Sequence, residues 1–170
     1  NGCGACHSTC PNSAISYPPC SLEAFDAEIG ALAGSNPESL RPRIVLYGCS
    51  TRAPLIDSVE TGKPSPPENA MVAEVPCLGS LTPLKLLRTL ELGADGVAIL
   101  PCVEGCEIGI QPSKIQEKID SARSILDAIG MGPQRVTSLD DSDDPQTLIG
   151  GVGSFALRIS GLGERSPGRV

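Results

Sequence analysis

The sequence predicts an α/β protein whose main part is a small doubly wound parallel sheet of about four strands. Three observations carry this. Apolar runs stand at Ile44 to Tyr47, at Val72 to Val75, where Glu74 interrupts the run, and at Val97 to Leu100, the last with the pattern of a strand buried on both faces of a parallel sheet. Segments with helical spacing separate them, so strand and helix alternate along the chain, and right-handed crossovers give the order 2-1-3-4. The chain of 170 residues has room for one sizeable core and a smaller appendage.

The elements follow in chain order. The amino-terminal stretch reads NGCGACHSTCP, with Cys3, Cys6 and Cys10 at intervals of three and four residues and Pro11 directly after. This is the latter part of the bacterial ferredoxin run, in which closely spaced thiolates wrap a 4Fe-4S cluster. In the complete run a further Cys stands three residues before Cys3, one position upstream of Asn1, so the site reads as incomplete and the chain as a fragment of a longer polypeptide. Gly2, Gly4 and Ala5 let backbone N-H groups approach cluster sulfurs. Cys3-Gly-Ala-Cys6-His7 also fits a c-type haem attachment, but that leaves Cys10-Pro11 unexplained. A zinc knuckle from Cys3, Cys6, His7 and Cys10 departs from the usual paired spacing. Cys20 stands alone after Pro18-Pro19 and reads as a buried thiol without chemistry.

A helix is expected from Ser21 to Ala33, capped by Ser21, with Leu22, Phe25, Ile29 and Leu32 on one face and Gly34 past its end. Residues 35–42, SNPESLRP, have the composition of a linker. The expected organisation is therefore a partial cluster segment with its helix over 1–34, a linker over 35–42, an α/β domain over 43–163 and a tail over 164–170.

Within 43–163, the first strand runs from Arg43 to Tyr47 and leads into Gly48-Cys49. A short helix near Pro54 to Glu60 and a Pro-rich loop come next. The second strand ends at Pro76-Cys77. Thr82 caps the following helix with Pro83 at its first position, Leu84, Leu87 and Leu90 as its buried stripe and Gly93 as its stop. The third strand leads into Cys102 and Cys106. Ser113 to Ile129 forms the best-patterned helix, with Ile115, Ile119, Ala122, Leu126 and Ile129 inward and Gly130 as stop. Arg135 to Leu139 is a fourth strand. The run DDSDD lacks the Gly and Glu of a calcium loop, so Asp144-Pro145 is read as the start of a last helix that buries Leu148, Val152, Phe155 and Ile159. Its Gly150, Gly151 and Gly153 each cost roughly 1 kcal/mol relative to Ala.

Three parallel strands that each run into a cysteine bring Cys49, Cys77, Cys102 and Cys106 to one edge, where open α/β sheets hold ligands. Four thiols match a 2Fe-2S cluster and equally a structural zinc. Disulfides are disfavoured by the helical periodicity and the absence of a secretory pattern. With a net charge of −7, no Trp, two Phe and two Tyr, nucleic acid is excluded as a partner. No apolar run has the length to span a bilayer, so no membrane partner is expected and the predicted location is the cytoplasm. The one His, His7, lies in the cysteine motif, so no catalytic constellation can be assembled and the chain reads as a non-catalytic electron carrier.

These residues carry a resemblance. RIVLYGCS, VAEVPCLGSL, LELGADGVAILPCVEGCEIG and the helix after them resemble the iron-sulfur delta subunit of methyl-viologen-reducing hydrogenases, over Arg43 to about Gly163. CGACHSTCPNSAI followed by a helix is similar to the last ferredoxin segment in the flavin-bearing subunit of heterodisulfide reductase, and that family includes fusions in this order. The resemblance implies a 2Fe-2S domain that passes electrons from a hydrogenase-type or formate-dehydrogenase-type donor to heterodisulfide-reductase-type subunits, with FAD only on the upstream part. Its other-class alternative is a zinc-stabilised interaction domain. Two positions depart from the family pattern. Arg52 stands where the family often has a second Cys after Cys49, and Cys102 and Cys106 are one residue closer together than usual.

Overall fold

A computed structural model describes residues 2–12, 14–35, 38–55, 65–102, 106 and 111–163. The elements in chain order are α1 (Ala5–Thr9), α2 (Leu22–Ser35), β1 (Ile44–Cys49), β2 (Ala70–Val75), α3 (Pro83–Glu91), β3 (Gly96–Ile99), α4 (Pro112–Ala128), β4 (Val136–Ser138) and α5 (Pro145–Gly161), with short 3-10 turns between them. The four strands form one sheet in the order β2-β1-β3-β4, parallel throughout. The register is fixed by Ile44 opposite both Ala70 and Gly96, and by Val97 opposite Val136.

Both faces of the sheet are covered. Val45, Tyr47, Ala73, Val97 and Ile99 point into one core with Phe25 and Ile29 of α2, Leu86 and Leu90 of α3, and Ile115, Ile119, Ala122 and Leu126 of α4. Ile44, Leu46, Ala98 and Leu100 point the other way, against Leu148, Val152, Phe155 and Ile159 of α5. The central strands bury both faces, which is why their sequences are continuously apolar. The helix α2 belongs to the first core: Phe25 stacks on Tyr47 with ring centroids 6.2 Å apart, and Arg88 of α3 grips both carboxylate oxygens of Asp26.

Two apolar stripes differ from their sequence reading. In α3 Leu84 is 59% exposed, and the inward face is made by Lys85, Leu86, Thr89 and Leu90. Lys85 and Thr89 can be buried because both are hydrogen-bonded: Thr89 Oγ1 lies 2.7 Å from the Tyr47 hydroxyl, and Lys85 Nζ donates to the carbonyl oxygens of Cys20 and Ser80. Ile129 is 39% exposed, because the helix has already ended at Ala128 and Gly130 turns away with φ of 69°. The short helix expected near Pro54 to Glu60 falls mostly outside the described residues; Ala53–Leu55 form a 3-10 turn. The expected tail, 164–170, also lies outside them.

The last helix is regular over Pro145–Gly161 despite its glycines. Asp144 caps it: Oδ2 accepts from Thr147 Oγ1 at 2.7 Å and from Thr147 N at 2.8 Å. Those bonds, the side-chain one first, hold its carboxyl below the usual range. A depressed folded pKa gives stability that is present above the unfolded value of about 3.9 and lost as pH falls through the folded one. Asp144→Ala should therefore lower Tm at neutral pH, and the gap to the parent protein should close on acidification through the carboxylate range. Thermal melts followed by circular dichroism across that range check this; a gap independent of pH would contradict it.

Candidate metal centre at the carboxyl edge of the sheet

The carboxyl edge is built by three neighbouring strands. Cys49 is the last residue of β1 and pairs with Val75, and Cys77 follows β2 by two residues. Tyr47 pairs with Ile99, so Cys102 extends β3 to one residue beyond the level of Cys49. Adjacent strands are about 4.8 Å apart, which sets these three backbones side by side. Cys49, Cys77 and Cys102 are buried and Cys106 is half-buried. Cys102 also lines a cavity of about 280 Å³ with Pro101, Pro112, Gln116 and Ser138.

The electrostatics bind the four into one group. The Cys102 thiol is pushed up to about 11, first by burial and then by the charges of Cys49, Cys77 and Cys106, while Arg52 pulls it back. That influence on Cys102 requires the other three sulfurs to lie near it. A bound cation would reverse the balance, since a metal's charge favours thiolates. Among the described residues no three Cys, His, Asp or Glu side chains are set at metal-binding geometry, so the thiols gather at one edge without meeting at a point. Residues 103–105, between Cys102 and Cys106, lie outside the described set. As donors, four sulfurs without a nearby imidazole or carboxylate in the group fit a soft thiolate site, for iron-sulfur or zinc.

Cys77 has a further role. Its Sγ accepts from Gly79 N at 3.3 Å and caps the 3-10 turn Leu78–Ser80, a backbone bond of the kind that tunes a thiolate ligand. The same turn receives the amino-terminal motif. Ser8 Oγ, in α1, donates to the Gly79 carbonyl at 2.6 Å, and Gly4 packs so closely that a Cβ there would stand 2.4 Å from Cys20 Sγ. Its φ of 72° also requires Gly. Cys6 is exposed, while Cys3 and Cys10 are half-buried on either side of α1. Cys20 is buried beneath this contact.

Three basic side chains stand at this edge; the sequence reading named Arg52 only as a departure from the family pattern and missed Lys85 and Lys118. Arg52 is fully buried. Lys118 Nζ donates to the Gly79 carbonyl at 2.7 Å; burial lowers its pKa, the Cys77 charge opposes that and Lys85 adds to it. Lys85 is lowered by burial and partly held up by Cys20. Their only sequence signal is chain position, Arg52 being three residues after Cys49.

Gly48 keeps the edge in place. A Cβ there would come within 2.9 Å of the Ala53 N and Cα atoms and of Leu100 Cδ1, and backbone atoms cannot swing aside. Gly48→Ala should destabilise the fold by about 1–3 kcal/mol, as overpacking does, and displace Cys49. Urea unfolding measures it; a loss below about 0.5 kcal/mol would show the turn to be pliable.

Comparison with known proteins adds two findings. The family profile described as methyl-viologen-reducing hydrogenase, delta subunit, matches residues 44–163. The vhu iron-sulfur protein of the F420-non-reducing hydrogenase of Methanocaldococcus jannaschii is 25% identical over 109 residues, which cover 63% of this chain and 81% of that protein. Among the described residues no helix is long and apolar enough to cross a membrane.

Proposed function

From the premise that this chain belongs to the methyl-viologen-reducing hydrogenase delta subunit family, we propose that it is an electron-transfer protein holding a 2Fe-2S cluster on Cys49, Cys77, Cys102 and Cys106. The observation that supports the reading is that Cys49, Cys77 and Cys102 stand at the carboxyl ends of three neighbouring parallel strands, with Cys106 four residues after Cys102. A cluster there would supply one-electron exchange. The chain's own contribution is to bury the thiols, to donate Gly79 N-H to Cys77 Sγ and to surround the edge with Arg52, Lys85 and Lys118.

Cys3, Cys6 and Cys10 are proposed to contribute to a 4Fe-4S site. The Gly79 peptide supports traffic between the two groups, because its N-H faces Cys77 Sγ and its carbonyl accepts from Ser8 of α1. The proposed donor is a hydrogenase-type or formate-dehydrogenase-type protein, and the proposed acceptor is the flavin-bearing part of a heterodisulfide-reductase-type complex. A cytoplasmic location goes with those partners. Iron, acid-labile sulfide and zinc analysis of purified protein, with its visible spectrum, tests the reading. Charge-transfer bands with stoichiometric iron and sulfide support it. A colourless protein with stoichiometric zinc replaces it with a zinc-stabilised interaction domain.

A further inference from the structure

Arg52 is out of place for a charged residue. Its backbone N-H donates to Cys49 O at 2.8 Å, closing a turn directly after β1. Its side chain is 1% exposed and ends on the loop that follows β4, where Nη1 donates to the Asp143 carboxylate and Nη2 to Ser142 O at 2.6 Å. In the order β2-β1-β3-β4 the strand between these anchors is β3, whose continuation carries Cys102. The guanidinium is thus held across the end of that strand, next to the gathered thiols. Asp143 and Asp141, its acidic neighbours, are largely exposed, so water screens them while the guanidinium stays buried. Its Nε is buried and has no hydrogen-bond partner among the described residues. Leaving a charged donor buried and unmatched is costly, so a donor kept this way points to an acceptor that the described residues do not supply.

We infer that Arg52 is a tuning residue for the thiolate centre, offering its Nε-H and fixed positive charge to sulfur at the sheet edge and so raising the reduction potential of that edge. This rests on the cluster reading above. Accepting one electron adds one negative charge; the guanidinium, which does not deprotonate, offsets that charge without proton uptake. Hydrogen bonds to sulfur and nearby charge are established controls of such potentials.

The test is a dithionite titration of the chain with its chromophore, monitored by visible absorption with redox mediators, for the parent protein and Arg52→Met. The Met side chain keeps much of the bulk and loses both charge and donor. The midpoint potential is expected to shift to a more negative value, with the helical circular dichroism unchanged. A coloured, folded Arg52→Met protein at the parent potential overturns the inference and leaves the cluster reading standing. A parent protein without iron removes the cluster reading and this inference with it. Should Arg52→Met fail to fold, pulsed electron paramagnetic resonance on the reduced parent protein with isotope-labelled arginine decides. Coupling of the electron spin to an arginine nitrogen, absent in protein labelled only at lysine, supports the inference; no coupling overturns it.

Discussion

The Cys77→Ser protein is expected to fold and to lose its visible absorption almost entirely. The two outcomes separate because Cys77 has two roles. As a cap, its side chain accepts from Gly79 N and organises the turn Leu78–Ser80, and Ser is among the best residues for that task. As a ligand, a hydroxyl is a poor substitute for a thiolate with a soft metal. The turn should therefore persist, with α1 still resting on Gly79 through Ser8, while the metal centre loses one of its four sulfurs. Circular dichroism and the visible spectrum measured on one sample make the comparison. An unchanged spectrum would remove Cys77 from the ligand set, and a lost fold would show that the cap requires the larger sulfur.

Phe155→Ala should cost about 3–5 kcal/mol, the range for deleting a buried aromatic side chain. Phe155 is fully buried and belongs to the core that α5 forms against Ile44, Leu46, Ala98 and Leu100. Its ring lies on β3 at Gly96, where an added Cβ would meet Phe155 Cε1 and Cζ at 3.0 Å. With no side chain beneath it, the emptied space has little to collapse into it, so the upper half of the range is expected. Equilibrium unfolding in urea reads this directly. A loss under about 1 kcal/mol would mean that α5 repacks freely.

The sheet was legible because its information is local. A parallel strand buried on both faces is a continuous apolar run, and Ile44–Cys49 and Gly96–Ile99 are buried along their whole lengths. The placing of Cys49, Cys77 and Cys102 after such runs carried the edge with it. What local pattern could not show is polar burial licensed by distant partners. Leu84 was counted inward because it is apolar, whereas Lys85 takes the inward position because the carbonyl oxygens of Cys20 and Ser80 receive its ammonium group. Arg52 is the same case at the site, since its anchors Ser142 and Asp143 lie about ninety residues along the chain. The helical turn Ala5–Thr9 was read only as a spacing of cysteines, because five residues have too little periodicity to declare a helix.

The packing of α2 bears on how the molecule could be dissected in the laboratory. Phe25 and Ile29 lie in the same core as Tyr47, Leu86 and Leu90. A recombinant piece trimmed to begin at β1 would keep every strand yet uncover a contiguous oily strip over Tyr47 and the inner side of α3. Exposed strips of that kind promote self-association. Such a piece would be prone to precipitate or to pair with itself, and its behaviour would report on the trimming rather than on the protein.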